Sequence, residues 1–200
     1  MVGIRISQLL LQLFSIGLLR MTSATIFTLQ NSCSYTVWPL ATPSSSRPRR
    51  AGVIQCSGGG VPPVSLAEFT IGSGAAGKDF YDVSLVDGYN VGISVQASGG
   101  TGDCQSAGCV SDVNANCPKE LQVVDGAGAV VACRSACAAF ETPEFCCTGA
   151  HATSATCGPT SYSDIFKSAC PTAYSYAYDD LSSTCTCTAS DYLIMFCPST

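Results

Sequence analysis

The 200-residue chain carries nine basic and fourteen acidic residues, a formal charge of −5, with only 12% of its residues charged. So acidic and sparsely charged a chain lacks the Lys and Arg that neutralise phosphates, which excludes a nucleic-acid or anionic-membrane binder. Fourteen cysteines stand against one histidine, His151. "CRSAC" at 133–137 has the spacing of a zinc knuckle, but without further histidines an even, dense cysteine set reads as a disulfide framework, and no metal or cofactor is expected.

Residues 1–24 read as a secretory signal peptide. Arg5 precedes the apolar run Leu9–Leu19, and Thr22 and Ala24 suit the −3 and −1 positions of a cleavage site. The run is too short to span a bilayer, so no stable membrane insertion is expected. A mature chain starting near Thr25 loses Arg5 and Arg20, which leaves seven basic residues facing fourteen acidic ones. The expected location is secreted and extracellular.

"TIFTLQNSCSYTVWPLAT" predicts a strand, a turn at "QNSCS" and a second strand over "YTVWPL". "PSSSRPRRAG", 43–52, has no period and reads as a solvated loop; "VIQCSGGGVPPVS" is also irregular. Next comes "LAEFTIGSGAAGKDFYDVSLVDGYN", which places Glu68, Asp79, Asp82 and Asp87 in a segment that otherwise reads as half-buried strand. Strand formers on both sides of Asp87-Gly88 predict a hairpin there. From Cys104 to Cys170, where most of the cysteines lie, two short helices are predicted, near Ser135–Phe140 and near Ser161–Ser168. "DYLIMFC" returns to strand, and there is no internal repeat.

The clustered acids allow two readings. Glu68 with Asp82 or Asp87 can form the carboxyl pair that glycoside hydrolysis needs, one as acid and one as base or nucleophile. Alternatively the acids form a rim that accepts hydrogen bonds without cleaving anything. A serine hydrolase has no support: His151 lies in the turn "TGAHATSATC", with no nucleophile elbow nearby. Phe80, Tyr81, Tyr89, Tyr174, Tyr176 and Tyr178 are the aromatics available for stacking on sugar rings, with "YSYAY" the stronger patch and core packing the competing role. No Asn-x-Ser/Thr sequon occurs.

Taken together, "NSCSYTVWP", "PVSLAEFT", "KDFYDVSLVDGYNV", "CPKELQV", "FCCTGA", "CGPTSYSDIFKSACPTAYSYAYDD" and "DYLIMFCP" resemble the thaumatin-like proteins, the fifth group of plant pathogenesis-related proteins. The resemblance implies a mainly β fold: a flattened β-sandwich, a disulfide-rich and partly helical second domain, and a small looped third domain. It implies an acidic cleft with Glu68, Asp82, Asp87 and Asp179 facing a ligand. Family members act in antifungal defence, and many bind β-1,3-glucans. The implied pairing is Cys33–Cys197, Cys104–Cys187, Cys109–Cys170, Cys117–Cys133, Cys137–Cys146 and Cys147–Cys157, with Cys56 and Cys185 left unpaired or uncertain.

The resemblance breaks after about residue 42. Where the family continues through further strand and a cleft arginine, this chain has "PSSSRPRRAG". The expected domains are therefore a β-sandwich core from 25–42, 63–110 and 171–200, a remnant of the looped domain at 43–62, and a disulfide-rich domain at 111–170. The expected function is that of a monomeric, secreted, apoplastic antifungal protein that binds β-1,3-glucan or another fungal cell-wall or surface component. The alternatives are a weak endo-β-1,3-glucanase with Glu68 and Asp82 as candidate catalytic residues, an inhibitor of a microbial hydrolase, and a truncated product without function.

Overall fold

In the computed structural model, the described residues are 24–41, 60–73, 77–188 and 190–198. Residues 1–23 of the expected signal peptide, "PSSSRPRRAG", most of the expected loop remnant and Cys56 lie outside them. Among the described residues no helix is long and apolar enough to cross a membrane.

Ten strands are present among the described residues: β1 Phe27–Asn31, β2 Leu66–Thr70, β3 Lys78–Ser84, β4 Ile93–Ser98, β5 Ala107–Gly108, β6 Gln122–Val124, β7 Val130–Cys133, β8 Ala173–Tyr174, β9 Cys185–Thr188 and β10 Asp191–Phe196. One sheet has the order β1-β10-β4-β5, with β1 parallel to β10 and the other pairs antiparallel. In the other, β3 lies between β2 on one side and β8 and β9 on the other. Along β3 the alternation of the pleat buries Asp79, Tyr81 and Val83 and turns Lys78, Phe80 and Asp82 the other way.

The two sheets meet through aromatic rings. Tyr81 of one sheet and Tyr192 of the other are both 1% exposed, with centroids 5.0 Å apart. Asp79, buried beside them, accepts from the Tyr192 hydroxyl at 2.9 Å and from the Gly72 amide at 2.8 Å. The interior carboxylate thus has donors on both oxygens, as burial of a polar group demands.

The cysteine-rich part holds short helices: α1 Ala136–Phe140, α2 Pro143–Cys146, α3 Ser161–Ala169 and, further on, α4 Asp180–Ser183. The Ser135 hydroxyl caps α1 by accepting from the Ala138 amide. Thr160 and Ser163 cap α3 reciprocally, a capping box. Among the described residues six disulfides staple the chain: Cys33–Cys197, Cys104–Cys187, Cys109–Cys170, Cys117–Cys133, Cys137–Cys146 and Cys147–Cys157.

Two local expectations are corrected. Asp87-Gly88 makes a turn, with the Gly88 amide donating to the Leu85 carbonyl at 2.9 Å, but β3 and β4 do not form a hairpin. Both sides of β3 are already occupied, so the chain leaves the sheet. Tyr89 instead exchanges backbone hydrogen bonds with Cys133, both 2.8 Å, and β4 joins the opposite sheet. The second correction is "YTVWPL": residues 35–40 form no strand. Pro39 offers no amide donor, Trp38 is 88% exposed, and no described strand lies alongside to pair with the segment.

Candidate functional site

The outward face of β2 and β3 gathers the acids. β2 and β3 are antiparallel, and Glu68 is directly opposite Asp82. Side chains opposed in this way start from Cβ atoms about 4.5–5.5 Å apart. Glu68 is exposed, while Asp82 is half-buried with its Oδ1 shielded from solvent and without a hydrogen-bond partner among the described residues. Burial, and then the Glu68 charge, push the Asp82 carboxyl up to about 7. The site therefore pairs a carboxyl pushed up to about 7 with the exposed Glu68, on adjacent strands of one face.

Tyr174 of β8 extends the same face, because it sits opposite Ser84, two residues from Asp82 along β3. Its hydroxyl donates to Asp180 Oδ1 at 2.9 Å and contacts Thr184 Oγ1. Burial pushes its pKa up to about 12, and the charges of Asp180 and Asp82 add to that. Phe80, 46% exposed on the other side of Asp82, carries Lys78 over its ring at 5.8 Å.

The other two expected cleft acids are placed differently. Asp87 is exposed in the turn after β3, where its carbonyl accepts from the Val64 amide at 3.2 Å. Asp179 is 9% exposed and turned into the protein. Its Oδ2 accepts from Lys167 Nζ at 2.9 Å and from the amide and hydroxyl of Ser175, both at 3.0 Å; its Oδ1 accepts from Ser182. Burial alone would raise its pKa, but the hydrogen bonds from Lys167, Ser175 and Ser182 and the Lys167 charge hold it below the usual range. Asp179 thus anchors the 175–183 segment, and its exposed neighbour Asp180 reaches Tyr174.

Asp180 and Thr184 are the site residues that the sequence reading misses. Of two adjacent acids in "YAYDD", local pattern does not say which one faces out. The flanking Ser175 and Ser182 and the distant Lys167, which would satisfy a buried carboxylate, are the available signal. Tyr81 and Tyr89 are core residues at 1% and 2% exposure, which removes them as stacking platforms. His151 ends a short 3-10 turn, with Nδ1 2.9 Å from the Thr156 carbonyl. Cys185 is a buried free thiol on β9, raised in pKa by burial and by Asp82.

No described group of His, Cys, Asp or Glu side chains is arranged to hold a metal ion. What the face can do is accept hydrogen bonds through Glu68, donate a proton or a hydrogen bond from Asp82, and offer flat rings from Phe80 and Tyr174 to either side.

Residues 46–198 match the profile of the thaumatin family. The pathogenesis-related thaumatin-like protein 3.5 of Cryptomeria japonica is 51% identical over 223 aligned positions, which take in 88% of this chain and 91% of the relative. That alignment is longer than the 200-residue chain itself, so it runs through positions that this chain lacks. Pathogenesis-related protein 5 of Arabidopsis thaliana is 63% identical over 147 residues, 74% of this chain and 61% of the relative. A glucan endo-1,3-beta-glucosidase of Prunus avium is 56% identical over 150 residues, again 74% of this chain and 61% of the relative. The chain spans about three-fifths of the length of the last two relatives. With its β-rich, six-disulfide architecture, the chain belongs to the thaumatin family.

Proposed function

We propose that this protein is a secreted plant defence protein that binds β-1,3-glucan of a fungal wall on the outward face of β2 and β3. The observation that carries the reading is the Glu68–Asp82 pair. A half-buried carboxyl pushed up to about 7, with its Oδ1 buried, across from the exposed Glu68 leaves the second Asp82 oxygen and the Glu68 carboxyl as the groups that can bond sugar hydroxyls. Phe80 and Tyr174, to either side, supply ring faces for pyranose units. Asp87 follows β3 in its exposed turn, and Asp179 holds Lys167, which also donates to the Ala173 carbonyl of β8.

Sedimentation with insoluble β-1,3-glucan tests this. The wild-type chain is expected in the pellet, with Asp82→Ala moving it to the supernatant and Glu68→Gln weakening its retention. Wild-type protein that stays in the supernatant overturns the glucan reading.

One observation favours hydrolysis as a second reading. Asp82 keeps its proton up to about pH 7 next to the Glu68 charge, the unequal pair that acid-assisted glycoside cleavage uses. A relative 56% identical bears the name of a glucan endo-1,3-beta-glucosidase. Reducing-sugar release from laminarin, abolished by Asp82→Asn, is the result this second reading requires.

A further inference from the structure

Both sheets of the sandwich stop on the same side. β1 ends one sheet and β2 ends the other, and the ring of Phe27 stands edge-on to that of Phe69 with centroids 4.8 Å apart. Among the described residues no strand pairs with the outer edge of β1. Phe27 is 43% and Leu29 52% exposed, although by alternation both project to the side that meets Phe69 and Tyr192.

Two hydrogen bonds fix the directions of the β1 backbone. The Tyr192 amide donates to the Ile26 carbonyl at 2.9 Å, and the Ser32 amide donates to the Phe196 carbonyl at 3.0 Å. In a parallel ladder the bonding groups alternate, so Ile26, Thr28, Gln30 and Ser32 face β10. The N–H and C=O groups of Phe27, Leu29 and Asn31 therefore face outward. Natural edges are normally blocked by a charge, a proline, a bulge or a cover. Residues 25–41 contain no Asp, Glu, Lys, Arg or His, β1 contains no proline, and its ladder with β10 is regular.

We propose that this edge pairs antiparallel with β1 of a second copy of the chain, about a two-fold axis at Leu29. The outward groups sit at alternate positions symmetric about Leu29, so this register satisfies them mutually: Leu29 with its own counterpart, Phe27 with Asn31 of the second copy. The same step brings the exposed Leu29 side chains together next to Phe27 and covers the open side of each sandwich. An uncharged strand gives a foreign charged partner nothing to select, whereas it lets two acidic copies meet where neither carries charge. The acids on the outward face of β2 and β3 stay free in such a dimer.

Light scattering after size exclusion, on the full secreted chain over a dilution series, tests the pairing. The wild type is expected at the mass of two chains and to dissociate on dilution. Leu29→Lys places two cations face to face and is expected to give one chain. Leu29→Pro deletes only an outward N–H, leaves the β10 ladder intact, and is expected to do the same. An equimolar mixture of Leu29→Lys and Leu29→Glu is expected to restore the two-chain mass, a result that misfolding of either variant does not imitate. A wild type at the mass of one chain at every concentration overturns the proposal. So does a dimer that persists in both single variants, or an open-ended series of larger species, because the two-fold register uses up both edges.

Discussion

Asp82 lies directly across the β2–β3 ladder from Glu68, and its Oδ1 is buried without a partner. This couples the face to pH in a definite direction. With a folded pKa near 7 and an ordinary value of 3.8, the folded state holds a proton that the unfolded chain releases between those limits. Stability from this group is therefore greatest below about pH 4, declines as pH rises towards 7, and is level above that. Asp82→Asn abolishes this slope and is expected to stabilise the protein at pH 8 by roughly 1–3 kcal/mol, the cost of an unsatisfied buried charge. Urea melts of both proteins at pH 5 and pH 8 check it; equal destabilisation of the variant at the two pH values contradicts the account.

Glu68 supplies the smaller part of that shift and burial the larger. Glu68→Gln is therefore expected to lower the Asp82 pKa without returning it to the ordinary range. Carboxyl-carbon titration by NMR measures it directly. If glucan retention depends on the Asp82 proton, its midpoint moves down in the same variant, so binding fades at a lower pH than in the wild type.

The two strands that bear the acid pair, and β10 of the other sheet, are legible in the sequence. "LAEFT", "KDFYDVS" and "DYLIMF" carry the alternation and the β-branched or aromatic residues that a half-buried pleat favours, and β2, β3 and β10 lie there. "PTSYSD" announces the cap of α3. Asp87-Gly88 misleads as a hairpin because turn chemistry is local, whereas the return path depends on which edge of β3 is open, and β2, β8 and β9 close both. "YTVWPL" misleads because alternation describes a strand's faces and says nothing about a neighbour to pair with. At the site, alternation places Asp82 opposite in sense to the buried Tyr81, but only the β2–β3 register brings Glu68 to it. That register is long-range and has no signature in either strand.

Lys167 holds the second buried acid. Its ammonium donates to Asp179, to the Ala173 carbonyl and to the Ser183 hydroxyl, each at 2.9 Å. Lys167→Met leaves Asp179 buried without its cation, for which about 3–5 kcal/mol is typical; the partial exposure of the lysine, 25%, lowers the expectation to roughly 2–3 kcal/mol. The acid sensitivity follows with the opposite sign to Asp82. Asp179 has a depressed folded pKa, so its contribution is present above the ordinary carboxylate range and is lost as pH falls through that folded value. Thermal melts from pH 6 down to pH 2 are expected to show a steep loss in the wild type and a shallower one in Lys167→Met.

Gly88 tests whether the turn after β3 is fixed by its contact with β7. Its φ of +96° lies in the region that favours glycine. An added Cβ would sit 2.6 Å from Pro63 Cβ and 2.8 Å from the Cys133 carbonyl oxygen, and both neighbours are themselves anchored. Val64 is hydrogen-bonded to Asp87, and Cys133 is disulfide-linked to Cys117. Relief by movement of a flexible side-chain tip is not available, so Gly88→Ala must shift backbone. The expected cost is roughly 2–4 kcal/mol, combining the strained conformation with the clash. Because the displaced turn carries Asp87 and leads directly out of the strand that bears Asp82, glucan retention is expected to weaken in the fraction that still folds. A variant with wild-type melting and wild-type retention would mean that the turn is free to move and that Asp87 is not held in place by its neighbours.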